Sequence, residues 1–173
     1  MEKRLVFLSS GWGGFDFTWT YLSKKFQRAG YDVIWASYPK RGIVEIEHTS
    51  EKVNTTLAAL DNEYEKIIFI GHSMGGLVGR TVIQMMDGAK NIDLYASLGT
   101  PHQGSPVARL APVAIPWSRS ATQMRQDSEF LTMLNDEPWP EHINAFTLSG
   151  AWDSLVWPKE RATFSAAKDH THV

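Results

Sequence analysis

One stretch of the chain, Ile67-Ile68-Phe69-Ile70-Gly71-His72-Ser73-Met74-Gly75-Gly76-Leu77, sets a serine between two glycines where an apolar run meets an amphipathic one. The spacing Gly-x-Ser-x-Gly has a mechanical meaning. If a strand precedes Ser73 and a helix follows it, the turn is so tight that the residues two before and two after the serine must be small, hence Gly71 and Gly75. The serine Oγ is then lifted to the carboxyl end of a sheet, over a helix N-terminus whose partial positive charge favours a developing oxyanion. Such a nucleophile elbow suits acyl transfer through a covalent intermediate. The motif alone says little, because a Gly-rich strand-to-helix turn with an idle serine reads the same. The strand and helix patterns around it carry the weight.

Other chemistries fit poorly. There is no cysteine, which excludes a cysteine nucleophile, a thiolate metal site and a disulfide framework. No His-x-x-x-His pair lies on a helical stretch, no Gly-rich loop ends in Lys-Ser or Lys-Thr, and the dinucleotide spacing is missing, so neither metal nor cofactor is expected. His170-x-His172 reads as part of a solvated tail. Seventeen Lys and Arg against nineteen Asp and Glu give a net charge of -2, too little positive field to hold nucleic acid. With 43% hydrophobic and 21% charged residues, the 173-residue chain has an ordinary globular composition and length for one domain over residues 1–173. Leu5–Leu8 is too short for a signal peptide or a transmembrane segment, so the expected location is cytoplasmic.

The elements that must position Ser73 can be read from periodicity. Strands are expected at Leu5–Ser9, Asp32–Tyr38, Lys66–Ile70, Leu94–Leu98 and Asn144–Ser149, several of them apolar on consecutive positions, as in a parallel sheet covered on both faces. Helices are expected at Phe17–Ala29, which stops at Gly30; at Ser50–Leu60, behind a Ser N-cap; from Ser73 to about Met86; and from about Ser120 to Asn135. Right-handed crossovers then give an open, three-layer α/β sandwich. From Gly99 to about Arg119, Pro101, Pro106, Pro112 and Pro116 interrupt an apolar excursion holding Val107, Leu110, Val113, Ile115 and Trp117. A segment of this length, about 99–119, is either lid-like or a crossover that merely packs.

Four stretches together resemble the α/β-hydrolases, most closely the small bacterial lipases and esterases without a large cap domain. They are Ser9-Ser10-Gly11-Trp12-Gly13-Gly14, Gly71 to Gly76, Leu98-Gly99-Thr100-Pro101-His102-Gln103-Gly104-Ser105, and Trp152-Asp153-Ser154-Leu155-Val156-Trp157-Pro158. The resemblance runs over nearly the whole chain. It implies that the backbone N–H groups of Trp12 and Met74 form an oxyanion hole, with Ser10 standing where the family usually has His. It also implies an orienting acid after a late strand, which Asp153 satisfies. The fold then calls for a helix, expected at Lys159–Ala167, a last strand, and the catalytic His. The chain stops about where that strand begins, so the final strand and helix are expected to be missing, and the base with them. The other reading lets His172 or His170 reach Ser73. Of the remaining histidines, His72 and His102 read as packing, and His48 and His142 as surface residues.

On this reading the protein is a serine hydrolase of carboxylic esters, esterase- or lipase-like, with a small-molecule ester or lipid as partner and the oligomeric state left open. Trp12, Trp152, Trp157, Leu110, Ile115 and Trp117 would form an apolar wall for an acyl chain. The alternative is a catalytically impaired, hydrolase-like domain that acts at most as a binding module.

Overall fold

The computed structural model describes all residues except 1–2, 14–18, 87–89, 111–115, 151–155, 157 and 173; of Leu110, Lys159, Asp169, His170 and His172 it describes the backbone alone. Six parallel strands form one sheet in the order β2-β1-β3-β4-β5-β6: β1 Arg4–Ser9, β2 Asp32–Trp35, β3 Lys66–His72, β4 Ile92–Leu98, β5 Asn144–Ser149 and β6 Asp169–His172. The helices are α1 Thr20–Arg28, α2 Ile46–Leu60, α3 Met74–Met85, α4 Arg119–Gln123 and α5 Glu129–Asp136.

Alternating side chains of the strands feed two cores. On one face Leu5, Phe7, Ile67, Phe69, Tyr95 and Ala145 pack against α2 through Val53 and Leu57, against α3 through Leu77, Val78 and Val82, and against α5 through Phe130, Leu131 and Leu134. On the other face Val6, Leu8 and Ile70 meet Trp19, with Leu22 and Phe26 of α1 behind it. Among the described residues that second cover is partial. Phe146 and Leu148 of β5 remain 37% and 36% exposed and, with Ala96, Leu98 and Thr171, line an open groove. The expected three-layer α/β sandwich with a parallel sheet is what the chain forms.

Several boundaries differ from expectation, each for a physical reason. A sixth strand, β6, forms over the four residues Asp169–His172, about where the last strand was expected to begin, because the edge of β5 from Phe146 to Ser149 offers them a ladder. Helix α2 starts at Ile46, four residues early, so Ser50 is no N-cap; it is buried and its hydroxyl donates to the Ile46 carbonyl at 2.8 Å. The helix expected over Ser120–Asn135 is two helices, broken where Asp127 takes φ 58°, and Ser128 caps the second by accepting from the Leu131 N–H at 3.2 Å. Lys159–Ala167 forms only a 3₁₀ turn over Lys159–Ala162, after which Thr163 is extended. Strand β2 stops at Trp35 rather than Tyr38, because Pro39 opens another 3₁₀ turn.

Candidate active site

Ser73 joins β3 to α3 and holds φ 52° and ψ -125°, a conformation L residues rarely adopt. Such a residue costs roughly 1–3 kcal/mol and persists only where its surroundings enforce it. Here they do. The Ser73 N–H donates to the Leu98 carbonyl at 2.8 Å, while its own carbonyl accepts from the Gly76 N–H at 3.1 Å and from the Thr100 hydroxyl at 2.9 Å.

The flanking glycines leave no room for a side chain. A Cβ on Gly71 would stand 2.5 Å from the Cα of Gly76, and one on Gly75 would stand 2.1 Å from the carbonyl oxygen of Ser9. One on Gly76 would meet the Thr100 hydroxyl at 2.1 Å. The strand, the turn and the loop after β4 are thus interlocked by close contacts that only glycine permits.

The loop after β1 closes on the same place. A Cβ on Gly11 would lie 3.1 Å from Ser73 Cβ and 3.3 Å from His72 Nδ1. Beyond it, the Trp12 indole donates to Ser118 Oγ at 3.0 Å and the Gly13 N–H to the Arg41 carbonyl at 3.0 Å, which fixes this loop from two sides. Met74 opens α3, so its N–H has no partner within the helix. Ser10 is buried and its Oγ accepts from the Trp19 indole at 2.8 Å.

The rest of the expected site is placed only in part. Asp153 lies outside the described residues, as do Trp152, Trp157 and Ile115. Val156, three residues on, is buried, and the segment after it is tied to the loop after β4 by Gln103 N–H to Arg161 carbonyl at 2.9 Å and Arg161 Nη1 to Gln103 carbonyl at 3.0 Å. His170 and His172 sit on β6, opposite Thr147 and Ser149. Three inter-strand spacings separate β6 from β3, about 14 Å at the usual 4.7–4.9 Å each. Trp117 is 66% exposed, and the 3₁₀ turn Val107–Leu110 also falls in the apolar excursion.

A buried network behind the site was not legible in the motifs. Arg80, on α3 and 1% exposed, donates to Gln84 Oε1 at 2.8 Å, Asn135 Oδ1 at 2.8 Å and the Leu134 carbonyl at 2.9 Å, and its Nη1 lies 3.4 Å from His102 Nδ1. Arginine can only donate, so His102 faces it with a lone pair and gives its Nε2–H to Ser97 Oγ at 2.9 Å. Burial lowers the Arg80 pKa to about 10, against the opposing influence of Tyr95, and burial likewise pushes the Tyr95 phenol well above its ordinary range. The Tyr95 hydroxyl donates to the Gly76 carbonyl at 2.8 Å. Arg80 and His102 therefore stiffen the loop that carries Thr100. The one sequence signal was an arginine amid uniformly apolar and small neighbours from Gly75 to Val82. Among the described residues no cluster of three or more His, Asp or Glu is arranged to hold a metal ion, and no helix is long and apolar enough to cross a membrane.

Comparisons with known proteins agree with this fold. The chain is 27% identical over 108 residues to the GPI inositol-deacylase of Aspergillus oryzae, covering 61% of this chain and 10% of that protein. It thus spans about a tenth of the length of the curated relatives it matches. Among solved structures, lipase B of Aspergillus fumigatus superposes with a TM-score of 0.78 at 18% identity, over 98% of this chain and 44% of that one. The mature lipase of Bacillus licheniformis does so with a TM-score of 0.71 at 19% identity, over 86% and 66%. These structures share the fold. Residues 38–136, more than half of the chain and including the whole Ser73 turn, match the family described as the PGAP1-like alpha/beta domain, and the protein belongs to that family, whose fold is of the α/β-hydrolase type.

Proposed function

We propose that the protein is a hydrolase of carboxylic esters that works through an acyl-enzyme on Ser73. The observation that carries this reading is the strained backbone of Ser73, held beside Gly11 and at the N-terminus of α3. A strain of this kind is maintained where a side chain must be presented rather than packed.

In the proposed cycle a histidine that follows Asp153 in chain order takes the Ser73 hydroxyl proton as Oγ bonds to the ester carbonyl carbon. The N–H groups of Trp12 and Met74 stabilise the oxyanion, and Asp153 orients and stabilises the imidazolium. Collapse of the intermediate breaks the bond to the alcohol, which leaves with the proton from the imidazolium. Water, deprotonated by the same base, then attacks the acyl-serine and releases the acid and free Ser73. Trp12 and the exposed Trp117 support an apolar acyl chain in the substrate, with the 99–119 excursion as its lid. A relative named as a deacylase belongs to the same reaction class.

Reaction with a fluorophosphonate tests the proposal. Labelling of the folded protein at Ser73, read by mass spectrometry and lost in Ser73→Ala, is the expected result. A folded protein that stays unlabelled supports the other reading, a hydrolase-like domain that only binds.

A further inference from the structure

The two backbone N–H groups proposed for the oxyanion come from separate parts of the chain, Trp12 from the loop after β1 and Met74 from the first position of α3. A third part lies against both. Just ahead of α4 and at its start, Ser118 is 1% exposed and Ser120 is fully buried, so their hydroxyls sit where every hydrogen bond has to be accounted for.

The direction of those bonds can be assigned. A serine hydroxyl has one hydrogen to give and two lone pairs to receive, whereas an indole or backbone N–H only gives. Ser118 Oγ receives from the Trp12 indole at 3.0 Å and from the Ala121 N–H at 3.2 Å, which fills both lone pairs. Its own hydrogen is left for Ser120 Oγ at 3.2 Å, and Ser120 in turn donates to the Gly42 carbonyl. The chain therefore runs one way, from Trp12 through Ser118 and Ser120 to Gly42. Reversing any bond in it would leave a donor unpaired in a place largely closed to water.

Both ends of this chain touch the surroundings of Ser73. At one end Gly11, beside Trp12, comes so near that a Cβ on it would lie 3.1 Å from Ser73 Cβ. At the other, a Cβ on Gly42 would stand 2.6 Å from the Met74 methyl, so the turn at Gly42 packs on the residue after Ser73. The Arg119 N–H donates to the Ile43 carbonyl at 3.0 Å, which pins the same turn, and the Gly13 N–H joins it to the loop through the Arg41 carbonyl at 3.0 Å. Capping α4 requires only the bond from Ala121; the bond from the indole does nothing for that helix.

We propose that Ser118 is a positioning residue for the oxyanion hole, seating the loop that carries the Trp12 N–H and, through Ser120, the turn that backs Met74. The inference rests on the proposed function, because only acyl transfer at Ser73 gives those N–H groups an oxyanion to hold. A misplacement of about 1 Å in such a site can lower the rate by about 100-fold. With Gly13 still bonded to Arg41 the loop moves less, and about a tenfold loss is expected.

Ser118→Ala is expected to lower kcat for p-nitrophenyl butyrate about tenfold while KM stays within about twofold of the parent, since the bond acts on the transition state rather than on the bound ester. Ser118→Thr, which keeps the hydroxyl, is expected to restore most of it. Trp12→Phe removes the other partner, and adding Ser118→Ala to it is expected to lower kcat by less than about twofold more. Ser128→Ala controls for a lost cap: it uncaps α5 and is expected to lower the thermal midpoint by about 2–4 °C, as Ser118→Ala does, with kcat unchanged. Hydrogen exchange needs no turnover, and the Gly13 amide is expected to lose protection in Ser118→Ala and to keep it in Ser128→Ala. Unchanged kcat in Ser118→Ala, a full tenfold loss on top of Trp12→Phe, or unchanged protection of Gly13 overturns the proposal. An unmutated protein that takes no fluorophosphonate label counts against the hydrolase reading instead, and exchange still decides whether Ser118 seats the loop, so the two can fail independently.

Discussion

Replacing Arg80 by methionine is the sharpest test of the buried network behind Ser73. The guanidinium makes three hydrogen bonds of 2.8–2.9 Å to Gln84, Asn135 and the Leu134 carbonyl. Bonds from a charged donor contribute roughly 1.5–3 kcal/mol each, or about 5–9 kcal/mol together. Against this stands the cost of keeping the charge out of water, which depresses its pKa to about 10 and amounts to about 3 kcal/mol. The net loss on Arg80→Met is therefore about 2–6 kcal/mol. A buried charge can often be exchanged for an apolar side chain of similar volume at little cost. That exchange fails here because the Asn135 amide oxygen and His102 stay in place when the donor goes, while the Leu134 carbonyl keeps only the longer bond from Gln84 Nε2 at 3.3 Å. Urea unfolding followed by circular dichroism measures the difference, and Arg80→Lys, with one ammonium in place of a fork, is expected to recover no more than about half of it. A methionine variant within about 0.5 kcal/mol of the parent would refute the reasoning, since it would show the acceptors readily satisfied by other means.

Gly75→Ala is expected to cost at least about 3 kcal/mol, or to prevent folding, because the added methyl would press on the Ser9 and Ser10 carbonyl oxygens, which cannot move without breaking β1; thermal unfolding measures it. Asp61 closes α2 at its negative end, and burial, opposed by Lys90, raises its pKa. An acid raised in the fold favours folding while protonated and loses that contribution as pH climbs through its folded value, so Asp61→Asn is expected to gain about 0.3–1 kcal/mol at pH 7 and nothing below about pH 4. Asp153→Asn is expected to cut ester turnover by roughly 10³–10⁴-fold without unfolding the chain, and near-normal hydrolysis by that variant would place the orienting acid elsewhere.

How far the chain could be read in advance follows from which forces act locally. Strands β1, β3 and β5 came within a residue or two of their limits because their apolar runs end at Gly, Ser or a turn. The Ser73 turn was legible because tight geometry demands glycine at fixed offsets, a requirement written in residue type. Boundaries set by distant partners were not. Ser50 resembles a cap until α3 comes to lie against it, with the Val78 carbonyl 3.4 Å from its hydroxyl. The break at Asp127 has no helix breaker in the sequence, and β6 exists because β5 provides an edge. Apart from the Arg80–Gln84 bond within α3, Arg80 and Thr100 gain their importance from residues 20 to 60 positions away.

The half-covered flank of β5 has a practical consequence at the bench. A solvatochromic dye such as ANS, whose fluorescence is ordinarily taken to report a loosened or molten state, is expected to meet exposed Phe146 and Leu148 on this chain while it is still folded. Brightness at the start of a melt would then be a property of the intact sheet, and heating would be followed more faithfully by backbone ellipticity than by dye emission.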